Sequence, residues 1–336
     1  MKHLRHLAFV FLCACITAVM SERIFWFWSP GLAEHLAVSA FYALPVAFTL
    51  WAMATYRVNG VWSVLLAAPL YAYVTEGVIT PILYTGGPFV PFFPAWFAFW
   101  HGIMAFGFLL LAVRHWLLAQ AWKPLALTAV GTGLFWGIWA STLRLPENVN
   151  DEELIADLGE PLTVLGPAAF AFYALLFTGV LAAAHWLLGY VWPESYAPGR
   201  PTKVVVAGLV VAGAAMWTVA AVWALPMFIA YAGLQRWGLR RHAATAAEPD
   251  VFRQLHGRVR VRSLVPLFAI APVAAGSYAV LWALDPSTLA LQVIFYSVIA
   301  AQAVAGGWLT VAALRRTKAE RTTTHAAQVE PAATLY

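Results

Sequence analysis

Long apolar runs separated by short polar joints make up most of the sequence. A helix needs about 20 mainly apolar residues to cross the roughly 30 Å of hydrocarbon in a bilayer, and these runs reach that length. They lack the period-two alternation that is typical of membrane β-barrels, whereas a helix satisfies its backbone hydrogen bonds within one segment. The pattern therefore predicts an all-α, polytopic transmembrane helix bundle of about nine spans, with approximate bounds 7–28, 36–56, 61–84, 95–116, 124–143, 162–188, 204–232, 264–284 and 289–313.

The composition also indicates a membrane protein. Hydrophobic residues make up 62% of the chain and charged residues 10%, whereas a soluble globular domain carries about 25% charged residues. The formal net charge is +5, but the lysines and arginines lie next to span ends, where they indicate membrane orientation and contacts with anionic lipids. We therefore expect a multi-pass protein of a cell membrane, the inner membrane of its cell, with membrane lipids and no nucleic acid as partners.

The sequence predicts one transmembrane domain over residues 1–314 and a disordered polar tail over 315–336, because the tail lacks apolar periodicity. Segments 97–122 and 170–192 resemble each other, and both contain His-Trp-Leu-Leu. This similarity predicts parallel helical-hairpin repeats. The alternative is that the two segments resemble each other by chance, because both consist mainly of alanine, leucine and aromatic residues.

Glu76 is the most informative single residue because it lies within the third predicted span. Tyr73, Glu76, Thr80 and Tyr84 follow one another at spacings of three and four residues, which places them on one helical face. Pro81 has no N–H for the carbonyl four residues before it, so an acceptor is left open beside the carboxylate. An acid inside a membrane helix is by default a functional site that faces the bundle interior. Hydrogen bonding to a neighbouring helix is the structural alternative.

Other ionisable residues share the membrane depth of Glu76. If the spans alternate in direction, one half of the membrane holds Glu22, Arg23, Glu34, His35, Glu76 and His101. A carboxylate beside an imidazole can act as a general acid and base, and the same residue types can bind a divalent metal. We predict a catalytic site formed by Glu76 and His101, with Glu22 and His35 assisting, and we assign no metal site.

His115 offers a different constellation. It follows His101 by fourteen residues, a spacing that resembles the haem-binding helices of cytochrome b proteins. His185 stands in the matching His-Trp-Leu-Leu, but position 171 is an alanine, so His115 and His185 predict at most one haem. The structural alternative is that each His-Trp pair anchors a span end at the membrane interface. No other cofactor is predicted.

Three further features favour structural roles. The turn at 85–94 contains three prolines and two glycines, and it predicts a stiff connector or a lid over the helix ends. The acidic loop at 147–160 predicts a short amphipathic surface helix. Gly133 and Gly137 form the GxxxG spacing of close helix contacts.

Several catalytic signatures do not occur in the sequence. It contains no GxSxG, HExxH, Walker or CxxC motif. ATP-driven transport by this chain alone is therefore excluded, as are the membrane proteases that carry those signatures.

Three functions fit these observations. The first is a membrane-embedded enzyme acting on a lipidic or polyene substrate through the Glu/His site. The second is a proton-coupled secondary transporter that uses Glu76 and has helices broken at Pro45, Pro69, Pro81 and Pro226. The third is a haem-b electron carrier through His115 and His185.

Overall fold

The computed structural model describes residues 2–25, 31–80, 99–145, 164–220, 222, 225–242 and 248–329. The secondary structure within these ranges is helical. In chain order the α-helices are α1 (Lys2–Ala18), α2 (Leu32–Thr55), α3 (Val61–Ala67), α4 (Pro69–Val74), α5 (Val113–Ala119), α6 (Trp122–Thr142), α7 (Pro167–Val191), α8 (Arg200–Ala220), α9 (Leu225–His242), α10 (Val251–Gln254), α11 (Ile270–Leu284) and α12 (Thr288–Val329).

Eight helical stretches within the described ranges are long and apolar enough to cross a membrane. They are His3–Ile24, Leu32–Thr55, Val61–Ile79, Phe99–Ala119, Trp122–Thr142, Pro167–Val191, Val261–Leu284 and Thr288–Arg316. The prediction of an all-α polytopic membrane protein is confirmed, and the chain is a multi-pass integral membrane protein.

Pro69 interrupts one predicted span, whereas another predicted span stays continuous through its proline. The described parts of the predicted segment 204–232 lie in α8 and α9, and Pro226 belongs to α9. Pro69 is the first residue of α4, where a missing N–H costs no helical hydrogen bond. Pro45, in contrast, lies inside the uninterrupted helix α2, so the break predicted there is absent. One lost hydrogen bond is tolerated in a membrane helix because neighbouring groups satisfy the freed carbonyl.

Three segments of the described part of the chain are π-helical, which the sequence did not predict. They are π1 (Val19–Ile24), π2 (Thr75–Ile79) and π3 (Ile103–Ala112). Segments of this kind are rare and occur frequently at functional sites. Glu22 lies in π1 and Glu76 lies in π2, and π3 begins two residues after His101.

The chain divides into two compact units. The first contains Met1–Val46, Met104–Glu194 and Leu255–Ala301, and the second contains Ala47–Ile103, Ser195–Gln254 and Gln302–Tyr336. The single transmembrane domain over 1–314 and the parallel repeats stay predictions.

In the first unit, α6 packs against α11 at the predicted GxxxG motif. A β-carbon on Gly133 would lie 2.7 Å from the carbonyl oxygen of Ile270, and one on Gly137 would overlap the carbonyl oxygen of Ala274. The backbones approach this closely because both positions lack a side chain. Helix α7 packs on α11 and on α1, and α1 holds the two buried free thiols, Cys13 and Cys15.

In the second unit, α9 packs on α3, and α8 packs on π2. Trp217 of α8 donates its indole N–H to the carbonyl of Val78 at 3.2 Å.

The last helix, α12, extends beyond the predicted span end at 313 to Val329, and the disordered tail over 315–336 stays a prediction. The tail up to that point contains many strong helix formers and no proline or glycine.

Candidate functional site

Glu76 and His101 form a direct hydrogen bond in the second unit, between Oε1 of Glu76 and Nδ1 of His101. Glu76 is 3% exposed and His101 is 5% exposed. The close approach depends on Gly102, because a β-carbon there would lie 2.8 Å from Cα of Pro69. The helical turn that carries His101 can therefore lie directly on the junction of α3 and α4. The sequence predicted this pair from membrane depth alone.

Neighbouring groups fix the orientation of both side chains. The hydroxyl of Thr80 lies 3.3 Å from Oε2 of Glu76 and 3.1 Å from the carbonyl oxygen of Thr75, and it can donate to either. The N–H of Thr80 also donates to that carbonyl, at 2.8 Å, which closes the wide turn of π2. The Tyr71 ring meets the His101 ring edge to face at 5.9 Å. The contact between Thr80 and Glu76 agrees with the predicted polar face.

Tyr73 belongs to an aromatic cluster beside the pair. Its ring stacks on Tyr231 of α9 at 5.8 Å, and Phe99 meets both rings edge to face at 5.4 and 5.3 Å. Tyr84, the remaining member of the predicted face, lies outside the described residues, and so does Pro81. So do the turn at 85–94 and the acidic loop at 147–160.

Glu22 and His35 belong to the first unit, where each has a partner of its own. The hydroxyl of Tyr42 donates to Oε1 of Glu22. Arg23 donates from Nε to Nδ1 of His35 at 3.3 Å. Because Nδ1 accepts this hydrogen bond, the His35 ring is neutral and carries its proton on Nε2. The assistance of Glu22 and His35 to Glu76 and His101 stays a prediction.

Arg23 lies among aromatic as well as polar groups. Its guanidinium carbon is 5.1 Å from the ring centroid of Phe177, and the side chain is fully buried. Glu34, the other acid predicted at this depth, is exposed.

The two histidines of the haem hypothesis differ in environment. His115 is exposed, whereas His185 is fully buried. His185 donates from Nε2 to the carbonyl of Leu109 at 3.1 Å, which leaves Nδ1 as its lone-pair nitrogen. The haem assignment stays a prediction. Within the described ranges, no group of three or more His, Cys, Asp or Glu side chains is placed to hold a metal ion.

Sequence reasoning missed the environment of Arg114. This residue is fully buried and donates to three backbone carbonyls, those of Leu255 at 3.0 Å, Gly257 at 3.0 Å and His185 at 3.4 Å. Its position near a span end indicated an interfacial residue, and no local signal indicated burial.

The first unit also contains an apolar cavity of about 300 Å³. Its lining consists of apolar side chains, one glycine and two threonines: Met20, Met104, Phe108, Leu127, Thr128, Gly131, Thr132 and Phe135. Such a lining suits hydrocarbon rather than a charged ligand.

A hydrogen-bonded carboxylate and imidazole can hold, deliver and recover a proton. Among the described residues of the second unit, Glu76 and His101 form such a pair. No protein-family model, curated protein or solved structure matches the chain.

Proposed function

We propose that this protein is a membrane-embedded enzyme that uses Glu76 and His101 as a general acid–base pair on a lipidic substrate. The single observation that supports this proposal is the buried hydrogen bond between the carboxylate and the imidazole. Buried ionisable groups inside membrane helices are rare, and they are typical of functional sites.

In this scheme Glu76 orients the ring of His101, and Nε2 of His101 exchanges a proton with the substrate. When Nε2 takes up a proton, the resulting imidazolium is stabilised by the carboxylate through Nδ1–H, as in other carboxylate–histidine pairs. When Nε2 returns the proton, the ring is neutral again and the pair is unchanged. A positioned acid–base group of this kind contributes about 10²- to 10⁴-fold to a rate.

A second candidate function is proton-coupled secondary transport through Glu76. The observation that favours it is the discontinuous helix around the site. Helix α3 ends at Ala67, α4 begins at Pro69, and the backbone becomes extended at Thr80 directly after π2. Interrupted helices of this kind form the binding sites of many transporters.

We also propose that the protein resides in the inner membrane of its cell. Helical spans support this location, because spanning proteins of the bacterial outer membrane are typically β-barrels.

The test is complementation of a strain that lacks the gene, followed by analysis of its membrane lipids. The wild-type chain should remove a lipid that accumulates in the deletion strain, whereas Glu76→Gln and His101→Gln should each reduce its removal about 100-fold or more. Glu34→Gln is the matched control, because Glu34 is an exposed acid on α2, and it should behave as wild type.

Two outcomes separate the candidates. If no lipid changes but proton-coupled uptake is lost in Glu76→Gln alone, the transporter function is correct. If Glu76→Gln and His101→Gln both complement as well as Glu34→Gln, neither function is correct.

A further inference from the structure

Helices α9 and α3–α4 run antiparallel in the second unit, and two contacts fix their register. Tyr231 stacks on Tyr73. A β-carbon on Gly238 would lie 3.1 Å from the Leu66 side chain. The two contacts are seven residues apart on each helix, so the pairing is maintained over about two turns.

Gln235 lies between these contacts on the same face of α9, four residues after Tyr231 and three before Gly238. The register places it opposite Pro69, where α3 ends and α4 begins. Gln235 is fully buried, and neither its amide oxygen nor its amide nitrogen has a hydrogen-bond partner.

Two more buried polar atoms without partners lie on the elements that carry the acid–base pair. They are the hydroxyl of Tyr73, three residues before Glu76, and the indole N–H of Trp100, next to His101. A buried polar atom without a partner is costly, and in a membrane no bulk water is present to satisfy it. Tyr73, Trp100 and Gln235 share this property and lie on α4, on the turn that carries His101, and on α9, which contacts α4 through the stacked rings of Tyr231 and Tyr73. Their grouping around the acid–base pair indicates a ligand that supplies the missing hydrogen bonds.

The chemistry of these groups identifies the class of ligand. A tyrosine hydroxyl and a glutamine amide both donate and accept, and an indole donates; all three are uncharged. The arginines on α9 and α12 whose side chains the structure describes are exposed: Arg236, Arg240, Arg241, Arg315 and Arg316. A phosphate or carboxylate would therefore meet no buried arginine among these, whereas a hydroxyl or carbonyl group would have its hydrogen bonds satisfied.

We infer that Tyr73, Trp100 and Gln235 bind the uncharged, oxygen-bearing end of a lipid beside Glu76 and His101. This inference rests on the proposed function and specifies its substrate class, a long-chain alcohol, aldehyde or ketone. The apolar remainder of such a lipid stays in the hydrocarbon of the bilayer, and its polar end reaches the acid–base pair.

The test is equilibrium binding to the purified full chain in detergent micelles. The probes are tritiated geranylgeraniol and geranylgeranyl phosphate, which share one chain and differ in the charge of the polar end. Wild type should bind the alcohol at least about tenfold more tightly than the phosphate. Tyr73→Phe and Gln235→Leu should each weaken binding of the alcohol about tenfold, the effect of one lost hydrogen bond.

Gln302→Leu is the matched control, because Gln302 is also a buried amide without a partner but lies on α12; it should bind the alcohol as wild type does. Gln235→Leu should also unfold at the same or a higher temperature, because leucine carries no polar atom to satisfy. A lower unfolding temperature would mean that Gln235 serves the fold, and would overturn the inference for this residue. If Gln235→Leu does not fold, the binding of the alcohol to Tyr73→Phe tests the inference instead.

Equal binding of the two probes, or wild-type binding by both variants, would overturn the inference. Its failure is distinguishable from failure of the proposed function, because binding is measured without turnover. If Glu76→Gln still removes the accumulated lipid while Gln235→Leu no longer binds the alcohol, the inferred lipid-binding site is supported and the proposed acid–base role of Glu76 is wrong.

Discussion

The guanidinium carbon of Arg114 lies 4.3 Å from the ring centroid of Trp192, while its N–H groups donate to the carbonyls of Leu255, Gly257 and His185. Only a planar group with several donors can make all of these contacts at once. This single side chain therefore fastens the segment after α10 to α5 and α7 within the first unit.

Arg114→Lys should destabilise the protein strongly. An ammonium cannot span the three carbonyls, and each lost hydrogen bond from a charged donor costs about 1.5–3 kcal/mol, so the free energy of unfolding should fall by about 3 kcal/mol or more. Thermal unfolding can be followed with a thiol-reactive dye, because Cys13 and Cys15 are buried until the chain unfolds. Arg258→Lys is the matched control, since Arg258 is exposed and lies 5.0 Å from the Tyr190 ring. Equal unfolding temperatures for the two variants would contradict the role given to Arg114.

Gly137→Val should separate α6 from α11. The new β-carbon would overlap the carbonyl of Ala274 and the hydroxyl of Ser277, and overpacking of this kind costs about 1–3 kcal/mol. Gly131→Ala in the same helix is the control, because a β-carbon there meets nothing within 4 Å. The Gly131→Ala chain should be as stable as wild type or more stable, since alanine favours a helix over glycine by about 1 kcal/mol. The same thiol assay compares the two, and a Gly137→Val chain as stable as Gly131→Ala would refute the packing argument.

Asp285→Ala should be more destabilising than Asp285→Asn. Asp285 ends α11 with φ at +42°, a left-handed conformation that costs most residues roughly 1–2 kcal/mol and that asparagine tolerates. Both variants lose the ion pair with Arg144 at 2.6 Å, which is worth about 1 kcal/mol or less for so exposed a carboxylate. Unfolding temperatures in low and high salt separate these effects, because salt screens only the ion pair. The backbone explanation fails if alanine and asparagine give the same temperature.

Tyr42→Phe should lower stability by about 1.5–3 kcal/mol, the contribution of a hydrogen bond to a charged acceptor. The substitution removes the hydroxyl on α2 that donates a hydrogen bond to the buried carboxylate of Glu22 in π1. Tyr56→Phe, at the turn after α2, is the control and should have little effect. If Glu22→Gln together with Tyr42→Phe is no more stable than Tyr42→Phe alone, the charge on Glu22 is not the cause.

The sequence predicted the elements that depend on local composition. A bilayer requires about 20 apolar residues for each helical span, so the runs around α1, α6 and α7 could be read directly. The pairing of Glu76 with His101 was predicted because the depth of each residue follows from counting along its span. The role of Gly102 in allowing this contact could not be predicted from the sequence. The space that a glycine leaves matters only where another helix packs against it, and the sequence does not show which helix that is.

The unpredicted features depend on partners distant in the chain or on small changes in backbone geometry. Arg114 is held by the carbonyl of Leu255, 141 residues further along, and no periodicity encodes that contact. The π-helical segments arise from hydrogen bonds displaced by one residue, a change that hydrophobic spacing does not register. Glu22 was therefore singled out from the sequence without its partner Tyr42.

Because both native thiols are buried in α1, we expect the intact chain to react only slowly with alkylating reagents. A cysteine introduced at an exposed loop position, such as Ser195 after α7 or Ser287 before α12, would then be the thiol that reacts, because the two native thiols are buried. A maleimide that cannot cross membranes, applied to whole cells and to inverted vesicles, would assign each joint to the cytoplasmic or the external face without prior removal of the native cysteines.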